Sequence, residues 1–231
     1  MSNPTGLVDT FRARPEGASR FLASDALEQV RFRGMVLASH VVISFYGFWL
    51  PNDPRGSNSV FVRSWRLLPF GLATKVKHRR SVAHDSHDRA LRLAAKKALC
   101  YKPVVINGRQ ARAIARGFAK AVERNGYVIF ACSILPTHIH LVIARHRYGV
   151  EQIVNLLKGA ATRQLVDEGL HPLAKFPRKD GSLPSPWAKG LRKVFRSTPA
   201  EVQQSIGYAW DNLADAGLKP QSWSFIAAYN G

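Results

Sequence analysis

Two hydrophobic periods alternate along this chain, and each change of period marks an element. Residues 1 to about 30 are polar and read as a flexible lead-in, with a short helix expected around Ser24 to Val30. MVLASHVVISFYGFWL then concentrates β-branched and aromatic residues, the composition of a first strand. PNDPRGSNS ends it with a cluster of turn formers, and the basic stretch that follows closes in a helix reaching about Leu99. Val104 to Ile106 is apolar enough for a short strand, and Asn107 is placed to cap the next helix, GRQARAIARGFAKAVERNG. That helix stops at Asn125-Gly126, a pair that accepts the left-handed conformation. YVIFACSI and HIHLVIARH, joined by LPT, predict a hairpin. Val150, Ile153, Val154, Leu157 and Leu165 then recur at helical spacing up to Gly169. A loop holding Pro, Gly and Lys runs from His171 to Ala188. LRKVFR is a further strand, and Ser197 or Thr198 caps a last helix from Pro199 to about Ala216. The tail KPQSWSFIAAYNG carries aromatics expected to pack back onto the body.

The order strand, helix, strand, strand, helix, strand, helix predicts an α+β fold. It is a ferredoxin-like antiparallel sheet with helices on one face and an added C-terminal helix. The expected organisation is a lead-in over 1–30 and one domain over 31–231, with insertions around 50–100 and 170–190. Fold alone leaves function open, because many activities share this arrangement.

Charge narrows the class. The 231 residues carry 34 Lys and Arg against 15 Asp and Glu, a formal charge of +19. Such a surplus repels itself in a compact state, so an anionic partner that offsets it is expected. The basic residues are spread along the chain and not gathered in one amphipathic helix or tail, which favours nucleic acid over a membrane surface. Cys100 and Cys132 form no C-x-x-C pair, so neither a disulfide scaffold nor a thiolate zinc site is expected. No apolar run is long enough for a membrane helix, and the N-terminus lacks a secretory core, so a cytoplasmic protein is expected.

Chemistry enters with two motifs. His138 and His140 are separated by one residue in a strand, so both imidazoles project from the same face while Ile139 points to the core. Two imidazoles held side by side are a ready pair of metal ligands. Tyr208 and Asn212 stand at i and i+4 on the last helix, a phenol beside an amide oxygen. Lys158, Arg163, Arg192, Lys193 and Arg196 are candidate phosphate contacts. The HDSHD cluster holding His84 and His87 reads as a solvated helix start. His40 and His146 read as structural or phosphate-contacting groups at strand ends, and His171 as a loop residue without signal.

LPTHIHLVI, the LLKGAATRQL helix and IGYAWDNLADAGLKPQ, in that order, resemble the single-tyrosine HUH transposases of small bacterial insertion sequences and their REP-associated relatives. YGFWLPNDPRGS resembles a longer subgroup. HUH stands for histidine, hydrophobic residue, histidine, here His138, Ile139 and His140. The family's late tyrosine motif falls on Tyr208, Asn212 and Gly217, with Leu213 where the family often has proline. The resemblance implies an HUH-nuclease sheet, a divalent metal (Mg2+ or Mn2+) on His138, His140 and Asn212, and Tyr208 as nucleophile. It implies single-stranded or hairpin DNA as substrate, cut through a 5'-phosphotyrosine and rejoined in transposition. An ordinary phenol ionises near pH 10, so such a tyrosine needs help from the metal or a nearby cation. A homodimer, with the site built within one chain or across two, stays open at this point. So do a domesticated hairpin nuclease and a nucleic-acid-binding protein without cleavage. A two-histidine phosphoesterase lacks its second H-x-[ST] strand motif here.

Overall fold

Side-chain caps at Asp88, Asn107 and Thr198 start three of the described α-helices, whereas the helix from Val150 follows Gly149 without one. The computed structural model describes residues 35–48, 50, 65–71 and 88–231, all but Met35 within one unit, Val36–Gly231. The expected lead-in, its short helix, most of the 50–100 insertion and the HDSHD histidines lie outside the described residues. Helix α1, Arg89–Lys97, begins at Asp88, whose carboxylate accepts from Leu91 N. Helix α2, Gly108–Asn125, begins at Asn107 in a reciprocal capping box with Gln110 and ends at Gly126, φ 68°. Helix α3 spans Val150–Asp167, and helix α4 spans Pro199–Asp215. Between them run strands β1 (Ala38–Ser44), β2 (Ile129–Ile134), β3 (His138–Ala144) and β4 (Arg192–Arg196). A short 3-10 helix, Trp65–Phe70, precedes α1.

The strands form one antiparallel sheet in the order β2-β3-β1-β4, the split arrangement expected from the element order. Strand parity divides the sheet into two faces. Val41, Ile43, Ile129, Ile139, Leu141 and Ile143 enter the main core with α2 and α3. Ala38, Ala131 and Val142 face the other way and meet Val202 and Ala209 of α4. The sheet is thus a middle layer, and α4 covers the face that the element order alone would leave open. Val104 to Ile106 does not become a strand. It makes two isolated backbone bonds, Val104 N to Tyr46 O and Ile106 N to Pro136 O, too few to start a ladder. The tail does pack back along β2. Ile226 bridges Ile129 in parallel, and the Gln221 side chain bonds both the N–H and the carbonyl of Ile134. Among the described residues no helix is long and apolar enough to cross a membrane.

Helices α2 and α3 meet in close backbone contact at Gly117. A β-carbon there would lie 2.6 Å from Ala161 Cα and 2.8 Å from Ala160 O, both backbone atoms that cannot turn aside. Gly117→Ala is therefore expected to force the helices apart at a cost of about 1–3 kcal/mol, although alanine is the better helix former. A urea midpoint equal to or above that of wild type, with an unchanged slope, would contradict this close approach.

Candidate active site

The turn Leu135-Pro136-Thr137 is closed by Leu135 N donating to His138 O at 2.9 Å, so β3 starts with its histidines. Strand alternation turns His138 and His140 toward α4 while Ile139 is fully buried on the core side, as the spacing predicts. The two imidazole centroids are 4.9 Å apart. Thr137 Oγ1 lies 2.9 Å from His138 Nδ1 and fixes that ring.

Helix α4 brings the tyrosine. Thr198 and Glu201 form a capping box, and Pro199 supplies a preset first turn. Val202, Ser205, Ala209 and Leu213 make the buried stripe that docks on the sheet. Ser133 Oγ of β2 donates to Ala209 O at 2.6 Å, pinning the turn that carries Tyr208. The Tyr208 ring stands edge-on to His140 with 5.5 Å between centroids, yet the residue is 51% exposed. Asn212 Nδ2 donates to Tyr208 O at 2.6 Å, which turns the amide toward the same helical turn.

A third histidine joins this cluster, and sequence reasoning misplaced it. His40 lies in the middle of β1, not at a strand end, opposite Val142 and buried. Its Nε2 is 3.1 Å from His140 Nδ1, the two rings stack at 5.3 Å, and Tyr208 meets it edge-on at 5.6 Å. The available signal was parity: with Val41 and Ile43 in the core, His40 had to face the other side. Its neighbour could not be named without the pairing of β1 with β3.

Burial holds both inner imidazoles neutral. Burial first, then the Arg196 and Arg192 charges, lower His40 to about 4. Burial first, then His138, His40 and Arg192, lower His140 to about 3. A neutral imidazole has the lone pair that a metal needs. His140 Nε2 is buried without a hydrogen-bond partner among the described residues. Buried polar atoms are rarely left so, and a divalent cation beside His138 would satisfy this one. Among the described residues no three His, Cys, Asp or Glu side chains form a ready metal cluster. A third ligand from the protein would then be of another type, such as the Asn212 oxygen.

The five basic candidates separate by layer. Arg192 and Arg196 pair with Val42 and Ala38, the parity of His40, and their charges are felt at that ring. Arg196 Nε is buried without a partner among the described residues. Lys193 has the opposite parity and pairs with Glu151 of α3. Arg163 is exposed on α3, across the sheet from the histidines. Lys158, also on α3, departs furthest from a phosphate contact. It is buried and donates to the carbonyls of Ala188 and Gly190 at 3.2 and 2.9 Å, stapling the segment before β4.

Burial also lowers the Lys158 ammonium to about 8 from its ordinary 10.5. Between those values the unfolded chain binds the extra proton, so the contribution is lost as pH falls through 8 and is complete above 10.5. Stability is expected to rise across that window, by up to a few kcal/mol. Lys158→Met should flatten the rise relative to wild type in denaturant titrations. Parallel curves for the two proteins would refute the shift.

The two remaining described histidines, His146 and His171, are held by local contacts. His146 Nδ1 accepts from Tyr148 N, and its ring meets Tyr127 and Tyr148 at 5.0 and 5.1 Å. His171 is buried in its loop and accepts from Leu173 N.

With this geometry in place, residues 97–181 match the family model described as "Transposase IS200 like". Over that span the chain is similar to IS200-like transposases. This is the family that the ordered motifs resemble. The IS200-like span holds α2, the hairpin with His138 and His140, and α3, and ends before β4 and Tyr208. No curated protein matches the chain. Among solved structures, a REP-associated tyrosine transposase bound to a REP hairpin is similar at 11% identity with TM-score 0.41. That match covers 82% of this chain and 74% of the other. A Deinococcus radiodurans R1 protein described as a transposase is similar at 17% identity with TM-score 0.38, covering 76% of this chain and 92% of its own.

Proposed function

We propose that this protein is a transposase-type DNA strand transferase that cuts and rejoins single-stranded or hairpin DNA through Tyr208. The observation that carries the reading is the exposed Tyr208 ring standing edge-on to the buried His140 imidazole, within one chain. The IS200-like match over the histidine hairpin supports the same class. So does the charge of +19, which suits a polyanion.

Tyr208 Oη attacks the scissile phosphorus, and its proton leaves to water or a basic group. The new O–P bond forms as the P–O3' bond breaks. The upstream strand departs with a 3'-hydroxyl, and the downstream strand stays on the enzyme as a 5'-phosphotyrosine. Attack by another 3'-hydroxyl reverses the step, joins DNA and frees the phenol, with no bond energy lost on the way. His138, His140 and Asn212 would hold Mg2+ or Mn2+. When bound, that ion supplies Lewis-acid polarisation of the phosphate and charge stabilisation. Arg192 and Arg196, on the same face, would hold the phosphate chain against the site. Ser133 and the apolar stripe of α4 keep the phenol in register with the histidines.

The deciding experiment incubates the protein with Mg2+ or Mn2+ and a hairpin DNA labelled on the 3' side of the cut. A denaturant-resistant labelled adduct is expected. Cleavage without any adduct would mean that water attacks. Tight binding without cleavage in either metal would replace this reading with a binding module.

A further inference from the structure

His40 has no role in the family motifs, yet it is the only hydrogen-bond partner that a nitrogen of His140 has among the described residues. A bond between two imidazoles requires one N–H and one lone pair, so the tautomers of the two rings are coupled. Two arrangements are possible. If His40 Nε2 donates, His140 carries its own proton on Nε2, a buried donor with nothing to receive it. If His140 Nδ1 donates, Nε2 keeps a lone pair on the edge of the ring turned away from His40. Only the second arrangement gives His140 a ligand atom.

We infer that His40 is a positioning residue: its Nε2 accepts the His140 Nδ1 proton, fixing the tautomer and ring plane in which His140 Nε2 binds the divalent metal. This rests on the metal reading proposed above. His40 itself is not a ligand in this arrangement, because the nitrogen it points at His140 meets the edge opposite Nε2. Burial makes the orientation firm. His40 sits in mid-strand between β3 and β4, stacked on His140 and capped by the Tyr208 ring edge. It is the sheet's counterpart of the carboxylate or carbonyl that holds a metal-bound histidine in other sites.

Two variants test it. His40→Phe keeps a planar ring of similar size and removes the acceptor. His40→Gln restores an acceptor oxygen near the place of Nε2. Nitrogen-detected NMR of the metal-free protein reads the His140 tautomer. Calorimetry with Mn2+ reads affinity, and thermal melting with DNA binding reads the fold. His40→Phe is expected to release the His140 tautomer into a mixture and to weaken Mn2+ binding by about 10–100-fold. His40→Gln is expected to recover both to within a few-fold of wild type. A merely structural His40 would lower the melting temperature in both variants and leave the tautomer alone. Wild type binding Mn2+, with affinity and tautomer unchanged in His40→Phe, overturns this inference and leaves the metal reading standing. Failure of wild type to bind Mn2+ at all, with the tautomer still locked by His40, overturns the metal reading and this role together.

Discussion

Tyr208→Phe is expected to abolish both strand cleavage and the covalent adduct, by on the order of a thousandfold or more, with binding and folding nearly intact. The substitution removes one oxygen from a residue that is 51% exposed and outside the buried stripe of α4. The ring contacts with His140 and His40 survive in phenylalanine, so the helix has no reason to move. Affinity comes mainly from phosphate contacts, which a phenol does not supply. The other tyrosines are poor substitutes. Tyr127 is buried on the core side, where burial pushes its hydroxyl up, and Tyr148 lies beside His146. Tyr46 accepts a bond from Cys100 N, and Tyr229 packs on Phe130. An adduct that persists in Tyr208→Phe would identify another nucleophile and remove the proposed role of α4.

His138→Ala and His140→Ala are expected to lose metal-dependent cleavage while keeping most of the DNA affinity. Stabilisation of the phosphoryl transition state by a bound cation is worth several kcal/mol, so the loss in rate should be on the order of 10^3-fold. Both variants should also lose saturable Mn2+ binding, measured without DNA. His140 is buried, and its replacement leaves a hole beneath Tyr208, so a lowered melting temperature there would confuse the result. His138 is half-buried at the start of β3 and serves as the cleaner case. Wild-type cleavage rates in both variants, or undiminished cleavage after chelation, would remove the metal from the mechanism.

How far the sequence alone reached differs from residue to residue. Local periodicity determined that His138 and His140 share a face, because strand side chains alternate whatever the strand pairs with. The same locality placed Tyr208 and Asn212 on one side of α4 and fixed the starts of α2 and α4, since caps depend on neighbours a few positions away. Element order gave the split antiparallel sheet. The charge of +19 gave only the expectation of an anionic partner.

Pairing across distance decided the rest. β1 inserts between β3 and β4, and this brings His40 against His140 from 100 residues away and sets Arg192 and Arg196 beside them. Strand alternation separates Lys193 from Arg192 locally, but only sheet layering put Lys193, Arg163 and Lys158 on the side away from the histidines and Arg192 on theirs. The physical reason is one of range. Helix and strand periods, caps and turns arise from contacts within a few residues, whereas the order and register of strands follow from burying both faces of the sheet at once. A single-residue slip of β1 against β3 would turn His40 into the core and Val41 out of it. Tyr208 and the histidine pair are therefore placed locally, and their meeting with His40 and the arginines is a property of the packed sheet.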